Sequence, residues 1–446
     1  MVAAIASAVL RSLRVTRILF ALALVWAPAA VSAQSILIER SLEPGDEDGQ
    51  FFALPFAFSS DVLGFAVGAV AGGRGLFQDQ TVFAGSLIGS TNGSIATYLY
   101  AENFQLPLGD RLFASPRITY ADLGELDAYR DGNPEFPLER AGDNDSDEDN
   151  FVDGEGSDAW YRIVFKYVLP LGHGRDAPIH TYYLEGGLLA ENPAGATSWN
   201  PIHSGRSLIE LEPFYREQEV DTDESSDVIE TAGVSLRLRH ENVDFLQNPS
   251  RGSIKQVRLT YDPGVSGRDS SYFVWEFEWS QYFDLGADNW FRQKVLALNF
   301  WLSDTPSWDE DGKGASRVVR HRPPNFVGAT LGGTDRFRGY PMDRFSDKSA
   351  ILYTAELRLI PEWNPLGNIG WLKRFVRVDW WQIVPFVEVG RVAPHFRLAD
   401  LHTDLRWSAG VGIRGSVNTL IVRADVAASK EGLRVQMMVA HPFPSL

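Results

Sequence analysis

Hydrophobic and polar residues alternate along most of the chain after residue 60. In the stretch SYFVWEFEWSQYF, the aromatic residues from Phe273 to Trp279 lie on one face, whereas Glu276, Glu278 and Ser280 lie on the other. The same alternation recurs in about sixteen segments, each close to the roughly 9–11 residues with which a tilted strand crosses a bilayer. No amphipathic helix of convincing length interrupts them, so the pattern predicts an all-β protein.

Alternation of this kind suits two architectures. A soluble sandwich or barrel buries its apolar face in a core, whereas a transmembrane barrel turns that face to lipid and its charged face to a wet lumen. Aromatic residues crowd the apolar faces here, and Arg and Glu recur in the middle of the opposite faces. These features favour a transmembrane antiparallel β-barrel of about sixteen strands, predicted for residues 61–446.

The first residues have the pattern of an export signal. Arg11, Arg14 and Arg17 precede a short apolar run and a small-x-small site that ends at Ala33. Residues 1–33 are therefore predicted to be a cleaved signal peptide; an uncleaved anchor is the alternative, but the apolar run is short for a spanning helix. Residues 34–60 are predicted to form a short periplasmic segment. The chain is expected in the outer membrane of a Gram-negative bacterium, in contact with its lipid and lipopolysaccharide.

The composition of the chain argues against several classes of function. The 446 residues include no cysteine, which excludes a disulfide scaffold, thiolate catalysis and cysteine-ligated metal. The net charge of −17 argues against nucleic acid as a partner. The sequence contains no Gly-x-Ser-x-Gly elbow, HExxH pair or glycine-rich phosphate loop, and its eight histidines lack ligand spacing. We therefore expect no enzymatic activity, no cofactor and no metal site.

Residues 142–158 form a strongly acidic tract. Asp143, Asp145 and Asp147 are spaced like the start of a calcium loop, but Glu148 stands where glycine is needed and Gly154 where a bidentate glutamate is needed. A solvated loop is favoured over weak cation binding. Counting strands back from the C-terminus puts the tract on the periplasmic side, whereas its length suits the cell surface, so the side stays open.

Five stretches in consistent order resemble the BamA/TamA-like outer-membrane assembly and translocation family, also called the bacterial surface antigen family. The resemblance covers residues 231–446. The stretches are NVDFLQNPSRGSIKQVRLTY, LGGTDRFRGY, AELRLIP, VPFVEVG, and the closing strands RWSAGVGIRGS, LIVRADVAAS and VQMMVAHPF.

This resemblance implies that LGGTDRFRGY belongs to a sixth surface loop that folds into the lumen. In the family, the Arg of an apolar-Arg-Gly-aromatic tetrad reaches an acidic residue on the lumen wall; the matching residues are Arg338 and Glu388, with Glu356 as a second candidate. A solvated arginine and a generic ladder of lumen charges are the alternatives. The expected loop residues are Gly332, Gly333, Phe337, Arg338, Gly339 and Tyr340, and the expected wall residues are Glu356, Arg358, Phe386, Glu388 and Gly390.

The resemblance also bears on the ends of the barrel. Assembly and secretion members carry periplasmic POTRA domains, for which residues 34–60 are too short, so a periplasmic partner or client protein is expected. Phe443 is expected to end the last strand, and the strand near LGFAVGAVAGG to form a weak seam with it. The implied function is insertion or translocation of proteins or lipids at the outer membrane. The alternative is a channel or structural barrel that keeps the fold without that activity.

Overall fold

In a computed structural model, the structure describes residues 36–42, 51–60, 63–222, 226–265, 271–311, 318–365, 378–417 and 420–439. Nearly all of its regular structure is strand; the exceptions are a 3-10 turn at Gly172–Gly174 and a one-turn helix at Leu398–Leu401. The strands are β1 (Leu37–Ser41), β2 (Phe51–Ser60), β3 (Gly64–Arg74), β4 (Val82–Ser90), β5 (Ile95–Glu102), β6 (Phe104–Gln105), β7 (Leu112–Ala128), β8 (Val152–Val168), β9 (His180–Glu185), β10 (Leu188–Glu191), β11 (Arg206–Asp221), β12 (Ser226–Val243), β13 (Gly252–Asp262), β14 (Tyr272–Asp284), β15 (Phe291–Asp304), β16 (Asp309–Asp311), β17 (Val318–Arg320), β18 (Thr330–Leu331), β19 (Phe345–Ser346), β20 (Ser349–Pro361), β21 (Val378–Ala393), β22 (Arg406–Val417), β23 (Leu420–Ser429) and β24 (Gly432–Val439).

One antiparallel series of strands forms the barrel wall. It runs β2, β3, β4, β5 with β6, β7, β8, β11 to β15, and β20 to β24, and its first and last strands lie side by side. Strands β5 and β6 both pair with β7 and act as one interrupted strand, so the described wall has sixteen positions. The predicted all-β class and strand number are confirmed.

The outer surface of the wall is apolar on almost every strand. In β14, for example, Trp279 is exposed whereas its neighbours Glu278 and Ser280 are buried inside. The exposed apolar side chains include Phe65, Val67, Leu87, Ile95, Leu99, Tyr161, Ile163, Leu211, Leu236, Leu238, Val257, Trp279, Leu298, Tyr353, Val387, Val411, Val426 and Val435. None of the helices in the described ranges is long and apolar enough to cross a bilayer.

The barrel begins earlier than the sequence predicts. Residues 51–60 were expected in a periplasmic segment, but β2 pairs along its whole length with β3, from Phe51 opposite Gly73 to Ser60 opposite Gly64. The boundary at residue 61 is therefore wrong, and LGFAVGAVAGG supplies the second wall strand. The stretch FFALPFAF carries no polar face, so it lacks the alternation that marks the other strands.

Hydrogen bonds show which end of the barrel carries the acidic tract. Its first residues lie in the connection between β7 and β8, and its last, 152–158, begin β8. Ser346 N donates a hydrogen bond of 2.8 Å to Gly142 O, and Arg406 Nε donates one of 2.9 Å to Asn144 O. Residues 142–150, here called the acidic segment, therefore lie at the same end as the loop between β15 and β20.

The opposite end carries a small cap formed by β1, β9 and β10. Strand β1 runs parallel to β9, and β10 pairs antiparallel with it. The cap is fixed to the wall by Arg206 Nη1, which donates to Ile36 O over 2.7 Å, and by Trp380 Nε1, which donates to Gly187 O over 3.0 Å. Its apolar side packs with Phe245 and Ile254 inside this end of the lumen. The predicted signal peptide and Phe443 lie outside the described residues.

Candidate functional site

The loop between β15 and β20 enters the barrel through a turn built on two glycines. Gly332 and Gly333 both have positive φ, of 122° and 94°. A Cβ on Gly332 would stand 2.1 Å from Pro341 O, so only glycine fits there. Gly333 N donates a hydrogen bond of 3.1 Å to Tyr340 O. The turn therefore folds the chain back on itself inside the lumen.

Arg338, just beyond that turn, is clamped against the lumen wall. Its Nε lies 2.9 Å from Glu388 Oε1, and its backbone N donates to Glu388 Oε2 over 2.7 Å. Its Nη1 lies 3.0 Å from Glu356 Oε1, and its guanidinium carbon lies 3.4 Å from the centre of the Phe386 ring. The structure thus brings Arg338 together with both candidate carboxylates, and stacking on an aromatic face adds to this contact.

Glu356 connects that clamp to further arginines of the wall. Arg414 Nη2 donates to Glu356 Oε1 over 2.7 Å, and Arg358 Nε donates to Glu356 Oε2 over 3.0 Å. Asp425 Oδ2 lies 3.6 Å from Arg338 Nη1. All of these side chains are almost fully buried. Several buried charges therefore share their partners, which makes each of them costly to remove singly.

Gly339 and Tyr340 complete the contact with the wall. Gly339 N donates to Ser408 Oγ over 3.1 Å, and a Cβ on Gly339 would meet the Ser408 side chain at 2.9 Å. Tyr340 OH donates to Trp407 O over 3.2 Å. Gly339 thus lets the loop backbone approach the Ser408 side chain closely. Gly390, on β21, would place a Cβ 2.4 Å from the backbone of β20, which it passes closely.

Aromatic packing holds the loop on its other side. Phe337 has a positive φ of 71°, and its ring centre lies 4.6 Å from that of Tyr340. Phe345 packs against both rings, and Trp301 of β15 belongs to the same buried cluster. The aromatic residue at position 337, where the resembling family has an aliphatic one, therefore packs in a buried cluster that is rich in aromatic rings.

Several residues of this site were missed by sequence reasoning. They are Arg414, Ser408, Trp407, Asp425, Arg344 and Ser146. Ser408, Arg414 and Asp425 sit at inward positions of alternating strands, so the period-two pattern could have flagged them. Their pairing with Arg338 depends on how neighbouring strands are aligned, which one strand's sequence does not contain.

The acidic segment closes over this loop from outside. Arg344 Nη1 donates to Ser146 Oγ over 2.8 Å, and Arg344 Nε donates to Glu431 Oε2 over 3.1 Å. Arg140 Nη2 lies 2.7 Å from Asp347 Oδ2. In the residues that the structure describes, no group of His, Asp or Glu has the arrangement to hold a metal ion. The segment therefore acts on the loop through arginine contacts.

The electrostatics of Arg338 favour a permanent contact. Burial lowers the pKa of its guanidinium, but Glu388, Asp425 and Glu356 outweigh that effect and leave the pKa above its usual value. The arginine is therefore charged at every physiological pH. These contacts make Arg338 an anchor that joins the inward loop to the wall.

The contact between β2 and β24, here called the seam, differs from the rest of the wall. Elsewhere in the wall, neighbouring strands are joined residue by residue, whereas the described parts of β2 and β24 make a much shorter contact. Behind the seam, a Cβ on Gly68 of β3 would stand 2.7 Å from the Phe56 ring of β2. The Phe56 ring of β2 thus packs directly against Gly68 of β3.

Solved structures with this arrangement of strands identify the fold. CdiB from Escherichia coli superposes with a TM-score of 0.53 at 10% identity, over 88% of this chain and 62% of that one. The chain has the CdiB barrel fold. BamA from Haemophilus ducreyi lacking POTRA domains 1–3 and CdiB from Acinetobacter baumannii each give a TM-score of 0.46, at 13% and 11% identity.

The comparison is one of fold only. The two further structures also match over 88% of this chain, which spans 69% of the BamA chain and 59% of the Acinetobacter CdiB chain. No model of a protein family matches the sequence, and no curated protein matches it. The resemblance drawn from the sequence is confirmed at the level of the CdiB-type barrel fold.

Proposed function

We propose that this CdiB-type barrel lies in the outer membrane and takes part there in insertion or translocation of proteins or lipids, using the seam between β2 and β24. The apolar outer surface of the wall supports a membrane location. The observation that carries the function is the contrast between the short seam and the continuous ladders elsewhere. A strand edge with few partners is where another chain or a lipid can enter.

The inward loop and the cap, which occupy the lumen from its two ends, favour the seam over passage through the barrel. Leu331, Phe337, Arg338 and Tyr340 of the inward loop are at most 1% exposed, and the cap occupies the other end. A channel would require both the inward loop and the cap to move. A channel therefore requires the Arg338 anchor to release, whereas seam opening does not; a structural barrel without assembly activity stays the alternative.

Disulfide crosslinking tests this proposal directly, because the chain has no native cysteine. The outward positions Phe51, Ala53 and Pro55 of β2 are each combined with Val435→Cys in β24, and the pair that oxidises in membranes is kept. The matched control joins Val426→Cys to Val435→Cys, which lie directly opposite each other in the β23–β24 ladder.

The readout is outer-membrane integrity of cells in which each variant replaces the native protein, measured as exclusion of a large antibiotic, together with planar-bilayer conductance. Oxidation of the seam pair is expected to abolish the cellular function and leave conductance unchanged, and reduction is expected to restore function. The control pair is expected to be inert. Full function with the seam locked would overturn the proposal, and steady conductance that supports the cell would establish the channel instead.

A further inference from the structure

The lumen contains a cavity with one apolar wall. Its volume is about 560 Å³, within the roughly 300–1,000 Å³ of pockets that bind small molecules. The apolar wall comes from the inner faces of the first strands. It comprises Phe58, Leu63, Ile88, Ala96, Ala121, Leu123, Leu126 and Ala128.

An apolar inner face is unusual for a membrane barrel, whose lumen is normally polar. In β4, Leu87 faces outward and is 64% exposed, whereas its neighbour Ile88 faces the cavity and is 1% exposed. In β7, Tyr120 faces outward and Ala121 faces the cavity. These strands are therefore apolar on both faces, and the apolar residues of the inner face pack on one another and also line the cavity.

The opposite wall of the cavity is charged, and its cations already have partners. Arg216 Nε donates to Asp158 Oδ1 over 3.0 Å, and Arg258 Nη2 donates to Glu212 Oε1 over 3.0 Å. The charged residues that line the cavity are the arginines 216, 258 and 336 and the acids Asp127, Asp158, Glu276, Asp335 and Asp343. Carboxylates therefore outnumber guanidinium groups, which favours a positively charged ligand group.

Asp343 is the lining carboxylate best placed to receive such a group. It belongs to the inward loop and is mostly buried, and in the described part of the chain it makes no direct hydrogen bond or ion pair. The cation that acts on it electrostatically, Arg216, is engaged by Asp158. Desolvation of an unpaired carboxylate is unfavourable, so a bound ammonium would relieve it.

The cavity also reaches both strands of the seam. Phe58 of β2 and Gln436 and Met437 of β24 line it. A molecule that passes between these strands would therefore arrive in the cavity from the surrounding bilayer. This point rests on the proposed membrane location and seam.

We propose that this cavity holds an acyl chain of a phospholipid whose headgroup carries a primary ammonium, with the chain against the wall around Ile88 and Ala121 and the ammonium at Asp343. The partition of one cavity into an apolar and an acidic wall matches the two parts of such a lipid. Burial of the chain stabilises the complex through the apolar area removed from water, and the Asp343 contact selects the headgroup.

Photolabelling of the full chain in lipid vesicles tests the assignment. The probes are phosphatidylethanolamine and phosphatidylglycerol, each with a diazirine in its acyl chain, and adducts are located by mass spectrometry of peptides. With the ethanolamine lipid we expect adducts on Ile88 and Ala121 as well as on the outward Leu87. Ala121→Trp is expected to abolish the inner adducts, and Tyr120→Trp, on the outer face, to leave them unchanged.

A second variant keeps the test independent of any disturbance of the wall. Asp343→Asn lies in the loop and is expected to remove the preference of the inner adducts for the ethanolamine lipid over the glycerol lipid. Adducts on Leu87 without any on Ile88 or Ala121 would overturn the cavity assignment and leave the membrane location standing. Absence of adducts from the whole wall would overturn the proposed membrane location itself. Equal inner labelling by both lipids would overturn the headgroup assignment.

Discussion

Arg338 Nε lies 2.9 Å from Glu388 Oε1, although 50 residues of chain separate the two. The pair joins the inward loop to β21 in the middle of a buried network. Since a buried charge that loses its partner is not rehydrated, such a pair is far more sensitive to one-sided change than a surface ion pair.

Glu388→Ala is therefore expected to lower the free energy of unfolding by about 3–5 kcal/mol. Arg338 would keep Glu356 but lose the carboxylate that binds both its Nε and its backbone N. Urea unfolding in detergent, followed by the mobility shift of folded barrels on cold gels, measures this. Asp110→Asn, in an exposed turn, is the control. Equal stability of the two variants would show that the contact does not anchor the loop.

Gly332→Ala is expected to destabilise the loop by at least about 2 kcal/mol, because the new Cβ combines an unfavourable positive φ with a backbone clash. The rate of trypsin cleavage after Arg338 in the folded protein measures this destabilisation, because the Arg338–Gly339 bond is buried in the native loop. Gly89→Ala on β4 is the matched change, as its Cβ would meet nothing within 4 Å. The prediction fails if trypsin cuts neither variant faster than the native chain.

The acidic segment should open when its anchor is removed. Arg344→Ala takes away the contacts with Ser146 and Glu431, so a glutamate-specific protease is expected to cut at Glu148 at least about tenfold faster, the equivalent of about 1.4 kcal/mol. Arg320→Ala, which removes a largely exposed pair with Asp311, should have no effect. Calcium should leave all the rates unchanged; protection by calcium would favour the cation-binding alternative.

Asp343 predicts a pH dependence of stability. Burial raises the pKa of this carboxyl group to about 6, the nearby Arg216 only partly opposing it. A raised pKa means that the folded state disfavours the charged form, so stability should fall as pH rises from about 4 to 6 and stay low at pH 7. At pH 7, Asp343→Asn is expected to raise the free energy of unfolding by about 1–2 kcal/mol, which is less than the same change at a fully buried group would give. At pH 4 it is expected to leave the free energy of unfolding unchanged. The measurement is the midpoint of urea unfolding of the native chain and of Asp343→Asn at both pH values, without added lipid.

Much of the wall follows from alternation alone, as in β14, where aromatic and acidic residues take opposite faces. Strand β2 was missed because Phe56 and Phe58 face the lumen side and Phe51 the outside, so both of its faces are apolar. A period-two signal fails where the inner face is apolar, as it is around the cavity.

The cap was not predicted either, since β1 and β9 are short and lie far apart in the chain. Within the clamp, residue types and resemblance pointed to Arg338 with Glu388 or Glu356. The structure shows that Arg338 contacts both, a result that depends on the register of β20 against β21. Single-strand patterns carry no information about that register.

The parallel pairing of β1 with β9 places Leu37 opposite His180. Such a contact spans a large sequence separation, and a parallel strand cannot be reached by a tight turn. Strand β1 therefore has nowhere to dock until the connection between β8 and β11 has folded. We therefore expect β1, the first strand of the described chain, to be among the last strands to dock. It docks after the middle strands of the barrel, against which it packs, have folded.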